Sequence, residues 1–226
     1  MSKNLAAAQS AVPTSLPSFA KGTAGKGNEN VSADDLVTPQ IKVLQAMSPE
    51  LQEYDDMKAG QLINSVNKQV YNELLCANLY YETHYSVFNT KARQLVGNFA
   101  SDAEAETAMV NLPGNASEYE KLETKVNYCV ALEQTDNGLR QMFPFKMFMK
   151  KTQIRVSNEW NSEIAAKYGS DAARWMGVWT LTTKKRSNDS GTWYVPKIDF
   201  AGYLDSQGLY DELTKTYEAI SGHKVQ

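Results

Sequence analysis

This chain lacks the usual equipment of an enzyme. Its 226 residues include only two histidines, His84 and His223, and two cysteines, Cys76 and Cys129. None of these stands at metal-ligand spacing with another. The H-E-x-x-H, C-x-x-C, G-x-S-x-G, Walker and dinucleotide glycine patterns are all missing. Cys76 and Cys129 lie inside apolar, strand-like runs, which suits small buried hydrophobes of a reducing compartment better than a disulfide or a zinc site. His84, between Tyr81 and Tyr85, reads as a structural or surface residue rather than a general base. The carboxylate pairs Asp34-Asp35 and Asp55-Asp56 are of a kind that can bind a metal, but helix caps and turns account for them more simply. The expectation is a protein that binds a partner without transforming it, with no catalytic residue, cofactor or metal.

Long apolar runs are missing as well. A helix that crosses a bilayer needs roughly 20 apolar residues in succession, and the runs here are far shorter. The N-terminus has no basic stretch leading into an apolar one, so the chain is expected to be neither secreted nor membrane-associated. Its hydrophobic share of 42% is ordinary for one well-packed domain, with two small domains the less favoured alternative.

The formal net charge of -3 conceals an asymmetry. Residues 140–200 hold 11 Lys and Arg against 5 Asp and Glu, whereas the remainder holds 12 against 21. An acidic chain therefore carries one basic segment. On composition alone that segment fits a solvated face as well as an anion-binding one.

Residues 1–32 are rich in Ala, Ser, Gly, Asn and Pro and nearly devoid of large apolar side chains, which predicts a flexible arm. Residues 33–226 are expected to form a single domain. Ser32 with Asp34 and Asp35 supplies a helix cap, and Pro39 keeps that helix short before a strand at Gln40 to Leu44. Gln61 to Val66 and Val70 to Tyr81 read as strands joined by a turn at Asn67-Lys68-Gln69, and Tyr85 to Phe88 continues in the same character. Acidic, Ala-rich residues 101–123, broken by Pro113-Gly114-Asn115, read as a helical insertion. Val126 to Gln134, Asp136-Asn137-Gly138 and Leu139 to Phe145 carry the clearest hairpin signal. Val156, Trp160, Ile164 and Tyr168 recur every fourth residue and predict an amphipathic helix over 152–168. Strands at Trp175 to Thr183 and Thr192 to Phe200, a turn at 187–191 and a C-terminal helix from Leu204 to Ser221 complete the pattern. Hairpins with few helices and no βαβ alternation predict an α+β fold, mainly a small antiparallel β-barrel of the OB type with flanking helices.

Between Phe143 and Phe200, aromatics alternate with cations. Single-strand binders need that mixture, since cations track phosphates while aromatic faces stack bases. The candidate phosphate contacts are Lys150, Lys151, Arg155, Lys184, Lys185, Arg186 and Lys197, and the candidate stacking residues are Trp175, Trp179, Trp193 and Tyr194. Trp160, on the amphipathic helix, is expected in the core. Core and platform both fit Trp175 and Trp179, expected on one strand face. Lys184-Lys185-Arg186 is expected at a hairpin tip, where a solvated tip and a backbone-gripping arm look alike.

One further likeness runs along the chain. It comprises Glu29-Asn30-Val31, the run Asp34-Asp35-Leu36-Val37-Thr38-Pro39-Gln40-Ile41-Lys42-Val43-Leu44-Gln45, Ser48-Pro49, and Lys58-Ala59-Gly60-Gln61-Leu62-Ile63-Asn64-Ser65-Val66. Later come Ser157-Asn158-Glu159-Trp160-Asn161-Ser162 and Gly191-Thr192-Trp193. In this order of pieces the chain resembles a family of tailed-phage single-stranded DNA-binding proteins. The resemblance implies an OB-like core, a role in phage DNA replication or recombination, single-stranded DNA and phage replication or recombination proteins as partners, homo-oligomers as an option, and the cytoplasm of the infected host as location. Many such proteins recruit others through an acidic tail. This chain ends Ser221-Gly222-His223-Lys224-Val225-Gln226, so recruitment of that kind is not expected. The leading expectation is thus a sequence-tolerant single-stranded DNA binder. The alternatives are a protein-interaction or virion-associated module that uses its aromatics as an interface, and, on the strength of acidic residues 102–123, a nucleic-acid mimic that inhibits a nuclease.

Overall fold

The computed structural model describes residue 30 and residues 37–169, 171–189 and 191–222. The expected arm, apart from Asn30, and the helix cap at Ser32 lie outside the described residues. From Thr38 onward the elements are β1 (Ile41–Val43), α1 (Glu50–Glu53), β2 (Leu62–Asn64), β3 (Val70–Tyr71), β4 (Leu74–Asn89), β5 (Gln94–Phe99), α2 (Asp102–Val110), β6 (Tyr119–Thr135), β7 (Gly138–Lys150), α3 (Ile154–Lys167), β8 (Gly177–Asn188), β9 (Gly191–Tyr203) and α4 (Gln207–Gly222). The fold is mixed α+β and its strand ladders are antiparallel.

Strand β4 is the spine of the larger, six-stranded sheet. It pairs with β6 along one edge from Leu75 to Asn89. Along its other edge it pairs first with β8, over Leu74 to Ala77, and then with β5, over Tyr85 to Asn89. Its first half is apolar without alternation because both faces are covered, whereas one-sided strands alternate. Leu74 and Cys76 join a core cluster with Cys129, Ala131, Phe145, Trp160, Trp179 and Leu181. Ala77 and Leu79 join a second cluster with Val130, Leu132, Val178, Leu209 and Leu213. Neighbouring strand residues point to opposite faces, so the two clusters lie on opposite sides of the sheet. The first is covered by α3 and the small sheet β1-β2-β3, the second by α4.

The hairpin at Asp136-Asn137 forms as its sequence demands. Gly138 takes φ 101°, and Thr135 Oγ1 donates to its carbonyl at 2.7 Å. The insertion is shorter than expected. Helix α2 and the turn Ala116–Glu118 account for its helical part, while Tyr119 to Lys125 already belong to β6, and β5 precedes it. The charged composition of Glu120 to Lys125 masked a strand whose Lys121 answers α2, pairing with Asp102 at 2.5 Å and Glu106 at 2.8 Å.

Among the described residues the larger sheet does not close into a barrel, since its edge strands β7 and β9 do not pair with each other. Strand β1 is tied to both. Lys146 N donates to Pro39 O at 2.8 Å beside a parallel bridge between Gln40 and Lys146. At the other side the Gln45 amide stands in for a strand, accepting from Tyr194 N at 2.9 Å and donating to Tyr194 O at 2.8 Å. No described helix is long and apolar enough to cross a membrane.

Candidate nucleic-acid interface

Helix α3 is launched from the end of β7 by a single 3-10 turn, Lys151–Gln153, in which Lys151 takes φ 51°. The apolar face read from the sequence is the one it buries. Trp160 and Ile164 enter the first core cluster, with Val156 and Tyr168 packed at its margin. This docking leaves a groove between the flank of α3 and the β8–β9 hairpin. One wall carries Lys151, Thr152, Arg155, Val156 and Glu159, and the other Arg186, Ser187, Trp193 and Val195. The groove continues past Glu163 and Lys184 to Lys197 and Asp199, and opens at its other end beside Asn188, Gly191 and Thr192.

Strand register sorts the β8 cations. Arg186 is the cross-strand partner of Trp193 and Lys184 that of Val195, whereas Lys185 is opposite Tyr194. Cross-strand partners share a face and neighbours do not. Arg186 and Lys184 therefore belong to the groove, and Lys185 points to the other side. These cations are part of the ladder and do not sit at a tip, which corrects the sequence reading. Asn188 already pairs with Gly191, so the turn between the strands is shorter than expected and lies beyond them.

The aromatics divide sharply. Trp193 is half-buried and lines the groove beside Arg186. Trp179 is 0% exposed, edge-on to Trp160 with ring centres 5.9 Å apart and to Phe200 at 5.2 Å. Trp175 lies in the 3-10 turn Arg174–Met176, buried against Tyr217 at 4.8 Å in the second cluster. Trp175 and Trp179 thus do not share a strand face, and neither offers a ring on which a base could stack. The apolar faces of β8 and of the turn before it outweigh the stacking role the sequence left open. Tyr194 is also committed, because its ring lies over Gly60, where an added Cβ would fall 2.6 Å from it.

Carboxylates that sequence reasoning overlooked temper the groove. Arg155 Nε donates to Glu159 at 2.7 Å, a bond that raises the guanidinium pKa, and Lys197 pairs with Asp199. The i,i+4 spacing of Arg155 and Glu159 was the available signal. Lys151 lies 3.9 Å from Glu120 across exposed ground. Lys150, Lys184, Lys185 and Arg186 are exposed and make no ion pair with another described residue. The groove is therefore a cationic channel with one half-buried indole, partly neutralised from within.

A family model described as Pam3 phage gp34-like protein matches residues 7–226, nearly the whole chain. The chain belongs to this phage family. As a member of the Pam3 phage gp34-like family it is a phage protein, and the match takes in both walls of the groove. No curated protein and no solved structure matches the chain.

Proposed function

We propose that this phage protein is a sequence-tolerant single-stranded DNA-binding protein that acts in replication or recombination in the cytoplasm of the infected host, by binding rather than by catalysis. The observation that carries the reading is the groove between α3 and the β8–β9 hairpin. It brings Lys151, Arg155 and Arg186, from the α3 flank and the hairpin, around Trp193, and continues past Lys184 to Lys197. A succession of ammonium and guanidinium groups along one groove suits a phosphodiester chain. A lone indole between them suits an unpaired base, which a duplex keeps stacked inside. The way β1 is tied to β7 and β9 supports an OB-like reading of the core, in which a tether of one strand and one side chain replaces full closure.

A second reading, a protein-interaction module, draws on the far end of the sheet, where Leu95 and Val96 of β5 and Val110 of α2 are exposed. Fluorescence anisotropy with labelled oligo-dT and a matched duplex decides between them. The DNA reading requires preference for the single strand and affinity that falls steeply with salt. Equal or absent binding of both at low salt would remove it.

A further inference from the structure

The groove leaves one cation unexplained. Arg174 lies against α3 through Asn161, which projects from a different flank of the helix than Val156 and Glu163 of the groove wall. Its Nε donates to Asn78 Oδ1 at 2.7 Å and its Nη2 to Asn161 Oδ1, and the guanidinium carbon stands 5.6 Å from the centre of the Tyr81 ring. Both acceptors are neutral amides. No described carboxylate pairs with Arg174, and its Nη1 has no acceptor among the described residues.

The amides are themselves held in one sense. Asn78 Nδ2 donates to Asn127 Oδ1 at 3.0 Å, and Asn127 Nδ2 donates to Ser157 Oγ at 3.0 Å. Asn78, Asn127 and Ser157 are each 0% exposed, so this chain fixes which end of Asn78 meets the guanidinium. The result is a half-buried cation oriented by neutral groups and paired with no described carboxylate. Burial lowers its pKa, the expected response of a cation moved out of water without a counter-ion. The Arg174 side chain is half-buried, so its free Nη1 edge is open to a ligand from solution, and the guanidinium fork matches two oxygens of a phosphate. The neighbouring cation, Lys125, donates to Thr83 Oγ1 at 3.1 Å beside Tyr81, but Glu123 already neutralises it at 2.6 Å.

We propose that Arg174 anchors a second binding site, separate from the groove, for a phosphate-class oxyanion. It requires no DNA binding in the groove and stands if that reading fails. The test follows the Arg174 Nε–H resonance in a nitrogen–proton correlation spectrum while inorganic phosphate is titrated against chloride at matched ionic strength. Phosphate should shift that resonance in the intact protein and raise Tm above the chloride control, and the Tm gain should vanish in Arg174→Gln. Oligo-dT then separates the sources. A shift of the same resonance by the oligonucleotide assigns the anion to a strand phosphodiester, and a shift by phosphate alone assigns it to a free phosphate or small phosphorylated ligand. A resonance indifferent to both, or an equal Tm gain in Arg174→Gln, overturns the proposal, and the spectral readout holds even if the variant does not fold.

Discussion

Arg186 and Trp193 face each other across the β8–β9 ladder, and both line the groove against α3. A cation and an aromatic face at one register position can hold a phosphate and the base attached to it together. The tryptophans therefore differ in what their loss does. Trp193→Ala should cost about 1–3 kcal/mol of oligo-dT binding with little loss of stability. Trp179→Ala, in contrast, empties the first core cluster and should cost about 3–5 kcal/mol of fold stability. Saturating oligo-dT should quench indole emission in the wild type and leave it unaltered in Trp193→Ala. Unchanged wild-type emission would rule out stacking.

The register of β8 yields a finer test. Arg186→Ala should make the slope of log K against log salt shallower by roughly 0.7, the contribution of one phosphate on a single strand, whereas Lys185→Ala should leave it almost unchanged. Equal effects from the two would mean that the strand does not run along the groove side of the hairpin.

Glu159 competes with any phosphate for Arg155. Glu159→Gln should tighten oligo-dT binding and steepen the salt slope by up to roughly 0.7, because one more cation is free to release a counterion on binding. A titration series in salt checks this, and weaker binding would place Arg155 outside the path.

Tyr128 supplies a pH dependence. Its hydroxyl donates to Glu82 Oε1 at 2.6 Å, and burial, then this bond, holds its pKa above the ordinary value of 10.0. The folded state therefore keeps a proton that the unfolded chain has lost. The stabilisation is complete below pH 10.0 and declines as pH rises from there toward the folded pKa. Tyr128→Phe should lower stability by about 1–3 kcal/mol near neutral pH and flatten the alkaline decline. Urea melts at neutral pH and above the tyrosine range measure both.

Much of this was legible in the sequence. The fourfold spacing of Val156, Trp160, Ile164 and Tyr168 gave α3, and Asp136-Asn137-Gly138 gave the β6–β7 hairpin, because each is a local signal. Strand β5 was not legible. Leu95 and Val96 are both exposed, so no alternation of buried and exposed apolar residues marks it, and its existence depends on pairing with β4. The cations were legible as a class, but which of them share a side was not, since that depends on the β8–β9 register. Nor did composition distinguish Trp193 from Trp175 and Trp179. Their neighbours in sequence are alike, and only the long-range packing of α3 and α4 against opposite faces separates an enclosed indole from one beside open space.

The change of partner along β4 divides the molecule into a trunk and a branch. Between Asn78 and His84 the strand has a ladder on its β6 edge only, since β8 pairs up to Ala77 and β5 begins at Tyr85. The segment from Thr90 to Glu118 joins no residue to either core cluster. Deuterium should therefore enter β5 and α2 well before it reaches Cys76 or Cys129. The loop at Lys91 to Arg93 is accordingly the place to splice in a reporter domain, where the graft would load the branch and leave the trunk intact.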